Sequence, residues 1–327
     1  MRIPDLRRKL LWSLLFGLLV GFGLALYGDL GRLSQRLTHF RWGYAPLILA
    51  LTLLNYGLRF VKWHYYLRVI GSPLPLRPSL NIFVAGLAMV MTPGKAGELL
   101  KSYLLKQANN TPLAVSAPLV LVERLTDGLA MFLLAAVGVF AFRHETALLW
   151  LTAGIALAMI SFVLLSRSRR LAAWGMALWA RLPWVGGAAP HLRQAYDSTY
   201  ELLGLRNLAL AVGLGFISWG GECLALYFTL IALDLPASLT LFLAATFTLA
   251  VSTLIGAISF LPGGLGATDI TLTGLLERLL SISTDLAVVA TLIIRFATLW
   301  FGVGIGLIVL LRLLRRLDMA ADPALPA

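Results

Sequence analysis

Charge is scarce in this chain, and negative charge is scarcest. Asp and Glu number 15 against 27 Lys and Arg, and charged residues make up 13% of 327 positions. With 59% hydrophobic residues and a mean hydropathy of +0.86, this excludes a soluble globular domain and points to a polytopic α-helical membrane protein. The one cysteine, Cys223, allows neither an intramolecular disulfide nor a cysteine-built metal site; in its apolar stretch it reads as a small buried hydrophobe. His39, His64, His144 and His191 are scattered without metal-ligand spacing. No nucleophile elbow, P-loop or dinucleotide fingerprint occurs. Gly263-Gly264-x-Gly266 lacks the Lys-Ser/Thr ending and flanking strand of a phosphate loop. No cofactor and no metal are expected.

The net charge of +12 would suit nucleic acid if it formed a stripe. Instead the basic residues collect in short flanks between apolar segments, the positive-inside pattern, so no nucleic acid is expected. Such flanks favour anionic lipid headgroups by about 1 kcal/mol per residue.

The most unusual stretch runs from Met91 to Lys101. Inside a long apolar region it carries Pro93, Gly94, Lys95, Gly97, Glu98 and Lys101. Leu261 to Asp269 repeats the design with Pro262, Gly263, Gly264, Gly266 and Asp269. Both read Pro-Gly-x-x-Gly with an acid soon after. Bilayer interiors tolerate irregular backbone and charge only where both are buried in protein or line a wet cavity.

In chain order, Arg2, Arg7, Arg8 and Lys9 precede a first spanning helix over about Leu10–Tyr27, read as a retained helix and not a removed signal. A loop bearing Arg32, Arg36 and Arg41 follows. A second helix over about Gly43–Val69 places Asn55, Arg59 and Lys62 on one face, with Lys62 and Arg68 expected to snorkel to the interface. The run Pro78–Leu105, broken at Pro93-Gly94, reads as a re-entrant hairpin. From Thr111-Pro112 a helix continues to Phe142, with Glu123 and Asp127 on one face and Arg124 beside them. Two such carboxylates repel unless a cation or a shared proton sits between them. A fourth helix is expected over about Ala147–Leu165.

Residues 166–206 hold many arginines interleaved with Trp174, Trp179 and Trp184, as in a cytoplasmic, interface-lying amphipathic connector. A fifth helix over about Asn207–Leu233 carries Glu222 in mid-membrane. A second hairpin over Pro236–Ser281 and a sixth helix over about Thr284–Leu311, with Arg295, follow. Both termini are expected in the cytoplasm.

Leu74–Ala85 also resembles Leu233–Ala244. The chain then divides into one repeat over about 43–165 and another over about 207–316, within a single membrane domain. An odd number of crossings between the hairpins gives the repeats opposite orientations. Paired interrupted segments in two halves are the sequence pointer to a transporter's central site. Broken helix ends expose N–H groups and a positive dipole end, which suit a phosphate or carboxylate. The acids beside them balance the cations or carry protons; the plainer alternative is an ion-pair lattice that holds the hairpins in place.

Four motifs in order, Pro93-x-Lys95-x-Gly97-Glu98-x-x-Lys101, Glu123-Arg124-x-x-Asp127, Pro262-Gly263-Gly264-Leu265-Gly266-x-x-Asp269 and Arg295-x-x-Thr298-x-Trp300, resemble the flippase-like family, also called the lysylphosphatidylglycerol synthase transmembrane region family. The resemblance spans nearly the whole chain. It departs where the family usually has arginines at Lys95 and Lys101 and a glutamate at Asp269.

The resemblance implies an inner-membrane protein that moves a lipid or lipid-linked headgroup, polyprenyl-linked lipids included, between leaflets. In the larger synthases a soluble aminoacyl-transfer domain follows this region; this chain stops after its last helix, so no synthase activity is expected. The fold expectation is about six spanning helices plus two re-entrant hairpins in an inverted repeat. Lys95, Lys101, Arg124 and Arg295 are expected to contact the headgroup. Glu98, Glu123, Asp127 and Asp269 are expected to position those cations or carry coupling protons. The alternatives are a non-transporting subunit that holds a glycosyltransferase or lipid-modifying enzyme beside its lipid, and a membrane-embedded transferase using Glu123 or Asp127 as base.

Overall fold

The computed structural model describes residues 3–92, 97–142 and 189–321, with 146, 150, 153–154, 156–157 and 161 between them. Pro93, Gly94, Lys95, most of the expected fourth helix, and Trp174, Trp179 and Trp184 lie outside the described residues. All regular structure among the described residues is helical. Five stretches there are long and apolar enough to cross a membrane: Trp42–Val69, Leu113–Phe142, Leu205–Ala232, Leu239–Ile258 and Thr284–Arg315. The chain is a multi-pass, all-α membrane protein.

Helix α1 (Ile3–Tyr27) turns by 92° into α2 (Leu30–His39). Asp29 makes the corner: its φ is 65° and its carboxylate accepts from Gly31 N and Arg32 N. The expected loop is therefore an amphipathic helix, with Leu33 buried and Arg32 and Arg36 on its outer side. Two of the loop's arginines are neutralised by distant acids. Arg36 Nε lies 2.7 Å from Asp285 Oδ2, and Arg41 pairs with Asp234.

Helix α3 (Ala45–Val69) is the second span. The first hairpin rises through α4 (Leu76–Ala88) and a 3-10 turn at Met89–Met91, and returns through α5 (Leu100–Asn109). Thr92 organises its tip: the hydroxyl donates to Met89 O at 2.7 Å and accepts from Gly97 N at 2.7 Å. A β-carbon on Gly97 would lie 2.5 Å from Thr92 Cγ2, so only glycine permits this turn. Helix α6 (Leu113–Gly138) then spans. The far end of the sequence-expected connector is α7 (Ala189–Leu202), which packs against α6, with Leu202 and the adjoining Leu203 fully buried.

Helix α8 (Leu205–Ala232) is followed by the second hairpin, α9 (Leu239–Ile258) and α10 (Ala267–Leu280). Its first arm is long enough to span by itself. Gly263, Gly264 and Gly266 all take positive φ, and Gly266 N donates to Asp269 Oδ2 at 2.8 Å. Glycine relieves the left-handed strain, and the acid satisfies an amide the helix start leaves free. The last span joins α11 (Thr284–Arg295) to α12 (Phe301–Ala321) through a π-helical turn at Phe296–Trp300.

The two halves interlock. Helices α3 and α8 pack antiparallel along their length: Arg41 N donates to Ala232 O, Tyr44 stacks on Phe228, Ser218 donates to Asn55 O, and Tyr65 donates to Asn207. Antiparallel first helices are what an inverted repeat requires. Each hairpin then packs on a helix of the span that follows the other half's hairpin. A β-carbon on Gly306 of α12 would lie 2.5 Å from Ala88 N and 2.8 Å from Val84 O; one on Gly138 of α6 would lie 2.5 Å from Phe247 N and 2.7 Å from Leu243 O. The alignment of Leu74–Ala85 with Leu233–Ala244 carries Val84 onto Leu243 and, continued, Ala88 onto Phe247. The same glycine contact is thus made twice, as small residues at membrane helix crossings do. The two hairpin tips also meet: Met91, Leu265 and Val303 form a small core, and Met91 closes on Gly263.

The ends of the bundle are distinguishable. Arg41 with Asp234 and Arg36 with Asp285 gather one set of loops. Ser72, Asn109 and Thr111 gather another through mutual hydrogen bonds.

Candidate functional site

Glu123, Arg124 and Asp127 come from the middle of α6, and four charged side chains from other elements meet them. Lys101 of α5 donates to Glu123 Oε2 at 2.5 Å. Its ammonium also lies 4.6 Å from the Trp63 ring centroid, and its stem lies against Gly86, where a β-carbon would come within 2.7 Å of it. Lys62 of α3 pairs with Asp127 and lies 3.3 Å from the Thr126 hydroxyl. Arg59 Nε stands 3.7 Å from Asp127 Oδ2, with its guanidinium 5.5 Å from the Trp219 ring centroid.

Lys62, expected to snorkel, is 1% exposed instead. Its position one turn from Arg59 aims it at α6, where the Asp127 carboxylate compensates the loss of water. The repulsion between Glu123 and Asp127 is resolved by cations, with Lys101, Lys62, Arg59 and Arg124 around them.

Arg124 also reaches the first hairpin, with Nε 3.0 Å from Glu98 Oε2. The second hairpin repeats this arrangement. Arg295 Nε lies 2.6 Å from Asp269 Oδ1, and its Nη2 donates to Gly263 O at 2.8 Å. Each hairpin break therefore ends in an acid that holds an arginine of the following span.

Between the hairpins lies a chamber of about 100 Å³, lined by Arg59, Arg124, Arg295 and Glu222 with Tyr56 and Trp219. The Tyr56 hydroxyl donates to Thr298 O at 2.7 Å, inside the π-helical turn. Such turns interrupt the regular ladder and recur at functional sites. A second cavity, about 560 Å³, shares Arg124, Trp219, Thr253 and Ala257 with the chamber. Its remaining wall is mostly apolar, and Leu121 and Phe260 there are exposed on the protein surface. A polar chamber thus adjoins a largely apolar groove across shared walls of Arg124, Trp219, Thr253 and Ala257. Chemically this is an amphipathic site: guanidinium groups in a low-dielectric pocket favour a phosphate or carboxylate, and the groove favours hydrocarbon.

Arg124, Arg295, Gly263 and Gly264 line the chamber, and Glu98 and Asp127 line the groove. Lys101 and Glu123 face each other and neither cavity. Asp269 and Gly266 form the start of α10 beneath Arg295. Gly97 sits in the turn held by Thr92. Sequence reasoning does not select Arg59, Lys62 and Trp219 as site residues. Their signal is present, since each is a polar or aromatic interruption of an apolar span, but their partners come from distant parts of the chain.

The family described as "Lysylphosphatidylglycerol synthase TM region" matches residues 11–306. The chain is similar to a "UPF0104 membrane protein" of Methanothermobacter thermautotrophicus, 25% identical over 286 residues that cover 80% of this chain and 82% of the relative. No solved structure matches the chain. On a match that spans both hairpins and the charged cluster between them, the chain belongs to the lysylphosphatidylglycerol synthase TM region family.

Proposed function

We propose that the protein moves lipids with anionic, phosphate-bearing headgroups, polyprenyl-linked lipids included, between the leaflets of a cytoplasmic membrane. The observation that carries this reading is the junction at Arg124 and Trp219, which line both the chamber of three arginines and the adjoining, largely apolar groove. The chamber has room for a phosphate-sized group and not for a whole lipid, so the chains stay in the groove and the bilayer. Arg59, Arg124 and Arg295 meet the headgroup. Asp127, Glu98 and Asp269 hold those arginines in place, and Lys101 with Glu123 braces α5 on α6. Two antiparallel halves around one central site are the geometry of alternating access. The basic flanks support cytoplasmic termini.

The test is reconstitution in liposomes with leaflet-selective quenching of labelled lipids. The expected result is faster exchange of anionic lipids than in protein-free vesicles. Exchange no faster than in protein-free vesicles, across several anionic and polyprenyl lipids, overturns the proposal.

A further inference from the structure

Glu222 stands apart from the other buried acids. Glu98, Glu123, Asp127 and Asp269 each lie within 4 Å of a lysine or arginine. Glu222, in the middle of α8, is 5% exposed and has no such partner among the described residues. It lines the chamber with Arg59, Arg124 and Arg295. The groups around it come from every side. Tyr56 and Arg59 face it from α3, Arg124 from α6 with Asp127 behind, Arg295 from α11 with Asp269 behind, and Cys223 adjoins it on α8. The linings from α4, α9 and α12 bring no titratable side chain.

The charges of this cluster can be set against one another. Among the described residues it holds Arg59, Lys62, Lys101, Arg124 and Arg295 against Glu98, Glu123, Asp127, Asp269 and Glu222. With every group ionised the two sets cancel. A phosphodiester entering then shares the guanidinium groups with a second negative charge at close range, which a low-dielectric pocket strongly disfavours. With a proton on Glu222 the cluster carries one unmatched positive charge, and one phosphodiester monoanion neutralises it.

We propose that Glu222 is the proton site that couples to the substrate, so that one proton accompanies each phosphodiester headgroup into the chamber. This rests on the translocator reading above. In the binding step one proton passes from water to the Glu222 carboxylate as one phosphodiester monoanion enters, and the charge of the cluster does not change. On release both leave. Linkage makes the effect reciprocal: the anion tightens proton binding, and falling pH tightens anion binding by the same factor.

The test uses the full chain in detergent, a short-chain phosphatidylglycerol as probe, and a pH-indicating dye in weak buffer. Wild type is expected to take up about one proton per lipid bound, with affinity falling as pH rises, by about tenfold per pH unit at most. Glu222→Gln is expected to take up none and to bind with an affinity independent of pH. Wild-type binding without proton uptake, or equal uptake by Glu222→Gln, overturns the inference and leaves the translocator reading standing. A wild type that binds no anionic lipid overturns the translocator reading and this inference with it. Should Glu222→Gln fail to fold, Glu222→Asp supplies the second measurement. Its infrared carboxyl band on lipid addition should appear shifted from that of wild type, and an unshifted or absent band overturns the assignment.

Discussion

Arg124 Nε lies 3.0 Å from Glu98 Oε2, and this contact ties the return of the first hairpin to the middle of α6. The same arginine lines both the polar chamber and the apolar groove. It therefore sits where a headgroup and its chain would part.

Replacing Arg124 should affect transport and stability together. Arg124→Gln removes a headgroup contact and leaves Glu98 without its cation. We expect lipid exchange to fall by about tenfold or more, equivalent to at least about 1.4 kcal/mol. Arg124→Lys should recover part of it, because a point charge replaces a planar fork. Initial exchange rates in liposomes check this; a Gln variant as fast as wild type would contradict it.

Lys101 and Glu123 form a pair with almost no exposure, with side chains 4% and 0% accessible. Breaking such a pair from one side strands a buried charge, at about 3–5 kcal/mol. Lys101→Met and Glu123→Gln should each lower thermal stability in detergent accordingly, whereas the double variant should recover most of the loss. A double variant as unstable as the sum of the singles would show that the two side chains are not coupled.

Gly138 and Gly306 should behave as equivalents. Alanine at either would press on the backbone of the opposing hairpin arm, and we expect each to cost about 1–3 kcal/mol. A β-carbon on Gly213, in α8, would meet no other atom within 4 Å, so Gly213→Ala should be neutral or slightly stabilising through helix propensity. Melting temperatures of the three variants decide the matter.

The loop pairings make a topology prediction. Arg41 with Asp234 and Arg36 with Asp285 mark one end of the bundle; Ser72 with Asn109 and Thr111 marks another. In a Cys223→Ala background, single cysteines at Asp234 and Ser283 should react with an impermeant maleimide on intact cells. Those at Gly71 and Asn110 should react only after permeabilisation. Labelling of Asp234 and Asn110 from the same side would refute the opposed ends.

Much of the fold was legible because apolar length and helix breakers are local properties. Trp42 to Val69, Leu113 to Phe142 and the second hairpin's break stand near where residue order puts them. Helix α2 was not, because Arg32, Arg36 and Arg41 look like a loop until Asp285 and Asp234 arrive to neutralise two of them. Glu123, Arg124 and Asp127 could be placed on one face from spacing alone. That Lys62 turns inward to Asp127, and that Glu222 meets no counter-charge among the described residues, depends on contacts between distant segments. No local periodicity encodes such contacts.

The crossed glycine contacts bear on how the chain is assembled. The first hairpin is synthesised early, yet the surface that covers it belongs to α12, which is inserted only after both hairpins. Until then Val84 to Ala88 present bare backbone to lipid or to a chaperone. The early half must wait in the bilayer as an unfinished piece, and shortening the chain before Gly306 should expose the first hairpin to quality-control proteolysis even though no residue of that hairpin has changed.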